Sequence, residues 1–400
     1  MQLTKRLMVF PQPTPDAMPY EYVGYTRASG VEMMRIRFLD ISDDIFDHYT
    51  ISYSPDNGRT WPESHTWETT RETNDGRLRR LLHPAFVDPH RGRLIMLSDE
   101  ALFRQDNSLE GMTQYYPLYA VSDDGGRTWG TEERIIQQGA AYSPDHPFDG
   151  VWIGKNCLMI ATNACVALPD GKLLFTAQMT PLGADGKIFL PPGAFTYTEA
   201  LLLIASWRDD GRLRWEISRR IAIPPELSLR GAIEPTIAAM PDGRILMVLR
   251  GSNDYAGTLP GYKWYCTSHD HGVTWDDPRP WRYQDGELFY SPSSFSELIR
   301  HSSGRCFWFG NICPENPHGN LPRYPLVVGE VDPHSLLLRR DTLFEVDTRT
   351  EEDSPGLQLS NFNIYEDRET SELVLRVTRF MPDDKAQSSD VYLYRIGVGD

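Results

Sequence analysis

Charged and polar residues recur at two fixed positions around short turns, and their types suit the binding and chemistry of an acidic ligand. The turns end at Gly30, Gly92, Gly171, Gly243, Gly304 and, in the last repeat, Ser371. The residues nine positions before two of these markers are His83 and Glu234. The residues seven positions after four of them are Arg37, Asp99, Arg250 and Asn311. Guanidinium groups bind carboxylates bidentately, and imidazole and carboxylate groups transfer protons, so this set favours acid–base chemistry on an anion.

The turns belong to a repeat in which an apolar strand, a tight turn and a second apolar strand follow one another six times. The second strands are clear in five repeats, at 93–97, 172–177, 244–249, 305–309 and 373–377. Short strands at regular spacing, without helix signals between them, are typical of a propeller. The pattern predicts an all-β fold, a six-bladed β-propeller of four-stranded antiparallel blades forming a single domain over residues 1–400. We expect the opening strand, about 2–10, to pair with the last blade and close the ring.

A second repeat supports this count. The phrase Ser-x-Asp-x-Gly-x-Thr-Trp, an Asp-box, occurs at 54–61, 122–129 and 268–275. Each copy follows a β-rich run, so it predicts a hairpin turn in which Asp accepts hydrogen bonds from turn amides and Gly supplies the positive φ. The copies begin 68 and then 146 residues apart, and the second interval fits two units, one without the phrase. We interpret the Asp-box aspartates as structural residues on the outer rim.

In a propeller, the start of each innermost strand and the end of each second strand lie at the same end of the axis. The register therefore predicts that His83, Glu234, Arg37, Asp99 and Arg250 converge there on one pocket. For each of these residues, a purely structural role is an alternative to ligand binding or catalysis. An arginine at a strand end is often a surface ion-pair partner, Glu234 before Pro235 could cap a loop, and His83 could be a packed loop residue. The acidic loop at 40–47 could be solvated surface, a calcium site or a source of a general acid.

The composition of the chain argues against two classes of binding partner. The chain of 400 residues has a formal net charge of −16, which argues against nucleic acid and against an anionic membrane surface. No apolar run is long enough to span a bilayer, and the first residues lack the apolar core of a signal peptide. We therefore expect a cytoplasmic protein, or a periplasmic or secreted one if a signal has been removed. The five cysteines have no metal-ligand spacing, and we expect no cofactor. Oligomeric state stays open.

The chain resembles the sialidase (neuraminidase) superfamily of Asp-box (BNR) repeat proteins. The resemblance rests on the Asp-boxes in a six-unit chain, on Gly231–Pro235 and on the stretch from Met240 to Arg250, and it covers nearly the whole chain. It implies that an arginine triad holds the substrate carboxylate, that a tyrosine paired with a glutamate is the nucleophile, and that an aspartate is the acid/base. On this resemblance Glu234 polarises the nucleophile, and Arg250 and Arg323 are the second and third arginines.

The remaining catalytic positions of that family have weaker counterparts. The acid/base would be Asp44 or Asp47, which precede the first Asp-box. The family's Arg-Ile-Pro phrase near the N-terminus is absent, so Arg27, Arg35 and Arg37 are substitutes by position for the first arginine. The segment that aligns with the nucleophile motif is Leu359-Ser360-Asn361-Phe362, which places leucine at the nucleophile position. Tyr365 lies further along and would need a register shift to serve.

Three functions fit these residues. The favoured one is a sialidase-like, exo-acting glycoside hydrolase on an acidic glycan whose carboxylate the arginines hold. A polysaccharide lyase is the second, in which an arginine neutralises a uronic-acid carboxylate while His83 and a tyrosine (Tyr262, Tyr290 or Tyr324) transfer the proton. The third is a glycan-binding propeller that kept the arginines without a nucleophile. Propellers host all three, so the fold alone does not choose.

Overall fold

A computed structural model describes residues 1–40, 48–104, 115–130, 132–254, 258–381 and 388–399. These residues form 26 β-strands and one short 3-10 helix, Arg340–Thr342. Backbone proximity divides the chain into two compact units. We call residues 22–189 and 201–219 the first unit, and residues 1–21, 190–200 and 220–400 the second unit.

Three antiparallel sheets lie mostly in the first unit. Blade 1 contains β2 Met18–Tyr25, β3 Met33–Asp40, β4 His48–Ser54 and β5 Glu63–Glu68. Blade 2 contains β6 Arg71–Thr73, β7 Gly76–Leu82, β8 Phe86–Val87, β9 Leu94–Phe103, β10 Tyr116–Ser122 and β11 Glu133–Arg134. Blade 3 contains β12 Leu158–Ala167, β13 Leu173–Met179, β14 Glu199–Trp207 and β15 Leu213–Ile217. Blade 2 has extra strands because β7 and β8 both pair with β9, and β6 adds a hairpin to β7.

The other three sheets lie in the second unit. Blade 4 contains β16 Ile233–Ala239, β17 Ile245–Arg250, β18 Lys263–Ser268 and β19 Arg279–Pro280. Blade 5 contains β20 Glu297–Arg300, β21 Cys306–Asn311, β22 Leu326–Val331 and β23 Phe344–Asp347. Blade 6 contains β24 Gln358–Glu366, β25 Leu373–Phe380, β26 Val391–Gly397 and β1 Gln2–Phe10. β1 pairs with β26, so the outer strand of this blade comes from the N-terminus. Six antiparallel blades, with no α-helix in the described ranges, confirm the predicted propeller fold class.

Apolar side chains pack between the sheets of each unit. One cluster in the first unit includes Ile95, Phe175, Leu203 and Trp215, and it spans blades 2 and 3. In the second unit, one cluster spans blades 4 and 5 around Trp281 and Trp308, and another spans blades 5 and 6 around Phe309 and Phe362. The middle strands bury nearly every residue, which explains their continuous apolar runs.

The three Asp-boxes form the turns between the last two strands, in chain order, of blades 1, 2 and 4: β4 and β5, β10 and β11, and β18 and β19. In the third copy, Asp270 accepts hydrogen bonds from the Thr274 amide at 2.8 Å and its hydroxyl at 2.6 Å. Ser268 donates its hydroxyl to Asp270 at 2.8 Å and accepts the Gly272 amide at 2.8 Å. Gly272 has φ +84°, which an L side chain rarely adopts, so the fixed glycine has a backbone cause. These bonds close the turn on itself, as the sequence pattern predicted.

Candidate functional site

Arg250 is the centre of a charged cluster in the second unit. It ends β17, where the sheet register pairs it with Ile233 of β16 and Lys263 of β18. Its side chain is buried, and all three guanidinium nitrogens donate hydrogen bonds. Nη1 donates to Glu234 Oε1 at 2.6 Å, Nε to Ser293 Oγ at 2.9 Å, and Nη2 to Asn320 Oδ1 at 3.2 Å. The guanidinium is therefore held in one orientation.

Glu234 reaches Arg250 through an unusual backbone conformation. It lies on β16 with φ +42°, in the left-handed region that non-glycine residues rarely adopt, and the β16–β17 register shifts at this point. Such strain persists where the surrounding structure imposes it, and it is concentrated at functional sites. The Glu234 side chain is 21% exposed whereas that of Arg250 is 8% exposed, so part of the glutamate side chain reaches solvent while its Oε1 is held by Arg250.

Arg323 lies beside this pair. Its Nη1 donates to Gln358 Oε1 at 2.8 Å, and its Nη2 donates to the Ser293 carbonyl oxygen at 3.1 Å. Ser293, which is buried, thus joins the two arginines: its hydroxyl accepts from Arg250 and its carbonyl accepts from Arg323. Two guanidinium groups from distant parts of the sequence are fixed on one residue.

The loop that carries Asn320 and Arg323 is held in place by hydrogen bonds from the side chain of Asn311. Asn311, at the end of β21, is fully buried, and its Nδ2 lies 3.1 Å from the Arg323 carbonyl oxygen and 3.2 Å from those of Pro325 and Leu359. The sequence predicted Asn311 as a ligand-binding residue. Because its side-chain amide is directed to backbone acceptors and out of reach of solvent, Asn311 is instead a support beneath Arg323.

The other end of the loop is held by Asn253. Its Nδ2 donates to the Pro317 carbonyl at 2.6 Å, and its Oδ1 accepts from the Gly319 amide at 2.9 Å. Gly319 has φ +56°, and a Cβ there would lie 2.8 Å from the Asp254 carbonyl oxygen. Glycine is therefore required where the loop crosses the segment after β17, and this crossing brings Asn320 to Arg250.

The electrostatics of the cluster favour an anion. Burial alone would raise the pKa of Glu234, but the charge and hydrogen bond of Arg250, with the charges of Arg323 and Lys263, lower it. Glu234 is therefore ionised at neutral pH and cancels one positive charge. The two guanidiniums leave at least one net positive charge here, although the whole chain is strongly negative. A local concentration of positive charge of this kind can bind an anion regardless of net charge.

The structure does not bring Tyr365 to this cluster. Its hydroxyl accepts from Arg376 Nη1 at 3.0 Å, and Arg376 Nε donates to the buried Glu21 at 2.7 Å. Tyr365 lies seven residues along β24 from Gln358, the partner of Arg323, which is roughly 20 Å at the usual rise of a strand. The register of β24 does shift between Ser360 and Asn363, but Tyr365 pairs with Val374 near the other end of the strand, so the shift does not bring it to the position of Gln358.

Leu359 is buried where the family resemblance expects a nucleophile. It is 0% exposed and packs in the apolar cluster of blades 5 and 6, with Phe309 and Phe362. Its neighbour Gln358 turns toward Arg323 instead. Leu359 enters the apolar cluster and Gln358 contacts Arg323 because adjacent side chains of a strand point to opposite faces of the sheet.

His83 and Asp99 form a separate pair in the first unit. His83 Nε2 lies 2.8 Å from Asp99 Oδ2, and both Asp99 oxygens lie 3.2 Å from the Ile160 amide nitrogen, which donates to the carboxylate. Burial raises the pKa of Asp99, against the lowering effects of the His83 hydrogen bond and charge. Asp99 is 1% exposed, so it orients His83 and is not itself open to a ligand. Arg37 is half-buried on β3 of the same unit, and Asp44 and Asp47 lie outside the described residues.

Four residues of the cluster were missed by sequence reasoning. Gln358, Lys263, Ser293 and Asn320 belong to no motif of the sequence. Lys263 could have been found by pairing β17 with β18, because Lys263 lies directly opposite Arg250. No group of three His, Cys, Asp or Glu side chains that could hold a metal ion occurs in the parts of the chain that the structure describes. No described helix is long and apolar enough to cross a membrane.

The chain is a six-bladed β-propeller with Asp-box turns, and its candidate site combines the buried Arg250 with the half-buried Arg323. Residues 63–343 match the family of BNR repeat-like domains, and the chain belongs to that family. This confirms the resemblance to the sialidase superfamily of BNR-repeat proteins. A search of curated protein sequences found no match.

Solved structures share this fold at low sequence identity. A protein of unknown function from Dyadobacter fermentans is 13% identical, with a TM-score of 0.62 and 99% of each chain covered. The NanB sialidase from Streptococcus pneumoniae is 14% identical, with a TM-score of 0.63, over 99% of this chain and 71% of that one. The intramolecular trans-sialidase from Ruminococcus gnavus, solved with oseltamivir carboxylate, is 12% identical, with a TM-score of 0.61, over 95% and 94%. These similarities establish the sialidase-like fold.

Proposed function

We propose that the protein is a sialidase-like glycoside hydrolase that holds an acidic sugar by its carboxylate at Arg250 and Arg323. The observation that carries the proposal is the convergence of both guanidiniums on Ser293, beside an ionised Glu234. A guanidinium pair matches the planar geometry of a carboxylate and stays charged at every working pH. The sialidase-like fold of the neighbours supports an acidic glycan as the ligand class.

Glu234 has a role suited to its environment. A carboxylate paired with arginine is a weak base, since its pKa is lowered. It is well placed to stabilise the positive charge that develops on a sugar ring in an oxocarbenium-like transition state. The acid that protonates the leaving group would come from Asp44 or Asp47. Because leucine occupies the family's nucleophile position, we infer that water attacks the anomeric carbon directly, with inversion. The bond to the leaving oxygen breaks as the acid protonates that oxygen, and the attacking water then releases its proton to solvent.

Turnover of fluorogenic substrates tests this proposal. The substrates are the 4-methylumbelliferyl glycosides of N-acetylneuraminic acid and glucuronic acid, with the galactoside as a neutral comparison. We expect release from one acidic glycoside and none from the galactoside. Arg323→Met should lower kcat/KM at least tenfold, whereas Arg219→Met, a change of an exposed arginine, should leave it within twofold. Equal loss in both variants, or turnover of the galactoside alone, would contradict the proposal.

Glycan binding without turnover is the second candidate, and one observation favours it. Leu359 is buried at the position of the nucleophile, so the family's covalent route lacks its central group. In this case the arginine pair still binds the carboxylate. Binding of free N-acetylneuraminic or glucuronic acid together with no release from either glycoside would establish this alternative.

A further inference from the structure

Lys263 is a third cation behind the two arginines. It begins β18, directly opposite Arg250 in the sheet. Its side chain is 0% exposed, although it carries an amine, and Nζ donates a hydrogen bond to the Ser294 carbonyl oxygen. A fully buried lysine that donates to a backbone carbonyl is uncommon, because the charged form loses its hydration.

The three cations share two adjacent residues. Ser293 accepts hydrogen bonds from Arg250 through its hydroxyl and from Arg323 through its carbonyl, and Ser294 accepts from Lys263 through its carbonyl. Because Ser293 and Ser294 are adjacent in the chain, a change in the charge of Lys263 occurs close to both guanidinium groups. In a water-poor site, the effect of such a charge is larger than at the surface.

The groups that face Lys263 come from each neighbouring element. They are Arg250 of β17, Glu234 of β16, and both Arg323 and the thiol of Cys313 from the loop between β21 and β22. Burial has the largest effect and, with the charge of Arg250, lowers the pKa of Lys263 to about 7. Glu234 opposes this and Arg323 adds to it, so the ammonium loses its proton near neutral pH.

We propose that Lys263 is a positioning residue that regulates the arginine site, so that an acidic sugar binds more tightly when Lys263 is protonated. This inference rests on the proposed carboxylate binding at Arg250 and Arg323. With Lys263 neutral, Glu234 cancels one of the two guanidinium charges. With Lys263 protonated, the cluster gains a further positive charge, and the ligand's carboxylate meets a stronger field.

Linkage gives the direction of the effect. If an anion binds the protonated form more tightly, binding must raise the pKa of Lys263 and take up a proton from solution. Affinity should be highest below pH 7 and fall as pH rises through about 7. A rise of about one pKa unit on binding corresponds to about a tenfold difference in affinity between the two limits.

Calorimetric titration of the full chain with N-acetylneuraminic acid tests this, with its methyl ester as the uncharged comparison. We expect the Kd to weaken about tenfold from pH 6 to pH 9, and net proton uptake at pH 7.5 when buffers of different ionisation enthalpy are compared. The methyl ester should show neither effect. Glucuronic acid is the second probe if N-acetylneuraminic acid gives no heat.

Lys263→Met removes the titrating group, and Lys187→Met is the matched change of an exposed lysine. In Lys263→Met the affinity should be nearly constant from pH 6 to pH 9 and equal to the parent's weak limit, whereas Lys187→Met should follow the parent. Proton uptake by the parent is informative even if Lys263→Met fails to fold. Carboxylate binding without proton uptake, or an unchanged pH profile in Lys263→Met, overturns this inference and leaves the proposed function standing. Absence of binding by either acidic sugar at every pH overturns both.

Discussion

Arg250 donates a hydrogen bond of 2.6 Å to Glu234, a residue whose backbone has a left-handed φ of +42°. The ion pair and the strained backbone occur together, and both residues lie next to the register shift between β16 and β17. The pair is largely buried, so removing one member alone leaves an uncompensated charge.

Replacement of the carboxylate tests the role of this pair. Glu234→Gln keeps the shape and a hydrogen-bond acceptor for Arg250 but removes the negative charge. Turnover of the acidic glycoside should fall at least 100-fold, because the developing ring charge loses its stabilising partner. Affinity for the free acidic sugar should be equal or higher, since one competing carboxylate is gone. Steady-state kinetics together with calorimetry measure both, and near-parent turnover would exclude our role for Glu234.

The support beneath Arg323 can be removed without touching the ligand. In Asn311→Leu, the carbonyls of Arg323, Pro325 and Leu359 lose their shared donor. We expect a loss of about 2–4 kcal/mol in the free energy of unfolding by urea. Weaker binding of the acidic sugar should accompany it at temperatures where the variant is fully folded. Gln284→Ala, a change of an exposed amide, serves as control, and equal effects in the two variants would contradict the support role.

A buried acid outside the site gives a pH-dependent prediction. Glu297 on β20 is 6% exposed, and burial raises its pKa to about 8. Below the pKa that Glu297 has in the unfolded chain, this residue is protonated in both states and does not reduce the free energy of unfolding. As pH rises from there toward 8, the unfolded chain releases the proton while the folded chain keeps it, so the free energy of unfolding falls. Glu297→Gln should therefore raise Tm by several degrees at pH 8 and much less at pH 5. Thermal unfolding at the two pH values, with exposed Glu226→Gln as control, checks this. A constant difference in Tm would refute it.

The Asp-box should matter for stability and not for chemistry. Although burial opposes it, the hydrogen bonds from Thr274 and Ser268 lower the pKa of Asp270. Ionised Asp270 stabilises the fold above the pKa that it has in the unfolded chain. This stabilisation is lost as pH falls through the lower pKa that Asp270 has in the folded chain. Asp270→Asn should thus lower Tm by a few degrees at pH 7, converge with the parent in strong acid, and leave kcat/KM within twofold. Exposed Asp209→Asn is the control. A large loss of turnover in a folded Asp270→Asn variant would show that this turn has a wider role.

The fold was predictable because its signals are local. The Asp-box and the strand–turn–strand repeat each have a turn-level cause, such as the positive φ of Gly272, and six repeats define the six blades. Within the site, Arg250 and Glu234 followed from their register around one turn. Arg323 followed from resemblance.

The rest of the site depends on information that motifs do not carry. Lys263, Ser293 and Gln358 reach the arginines through strand pairing and loop path, and their residue types are unremarkable in the sequence. Asn311 had the predicted position but the opposite orientation, since its amide turns to backbone acceptors. Tyr365 is separated from the site by most of the length of β24. The sequence does not mark the start of this strand at Gln358, so it could not indicate this separation.

The central claim is that Arg250 and Arg323 hold a carboxylate. The direct measurement is a calorimetric titration at pH 6 of the parent and of Arg323→Met, with N-acetylneuraminic acid, glucuronic acid and the methyl ester of each. We expect the parent to bind one free acid at least tenfold more tightly than its ester, and Arg323→Met to lose this preference. Equal affinity for acid and ester, or an unchanged preference in Arg323→Met, would contradict it.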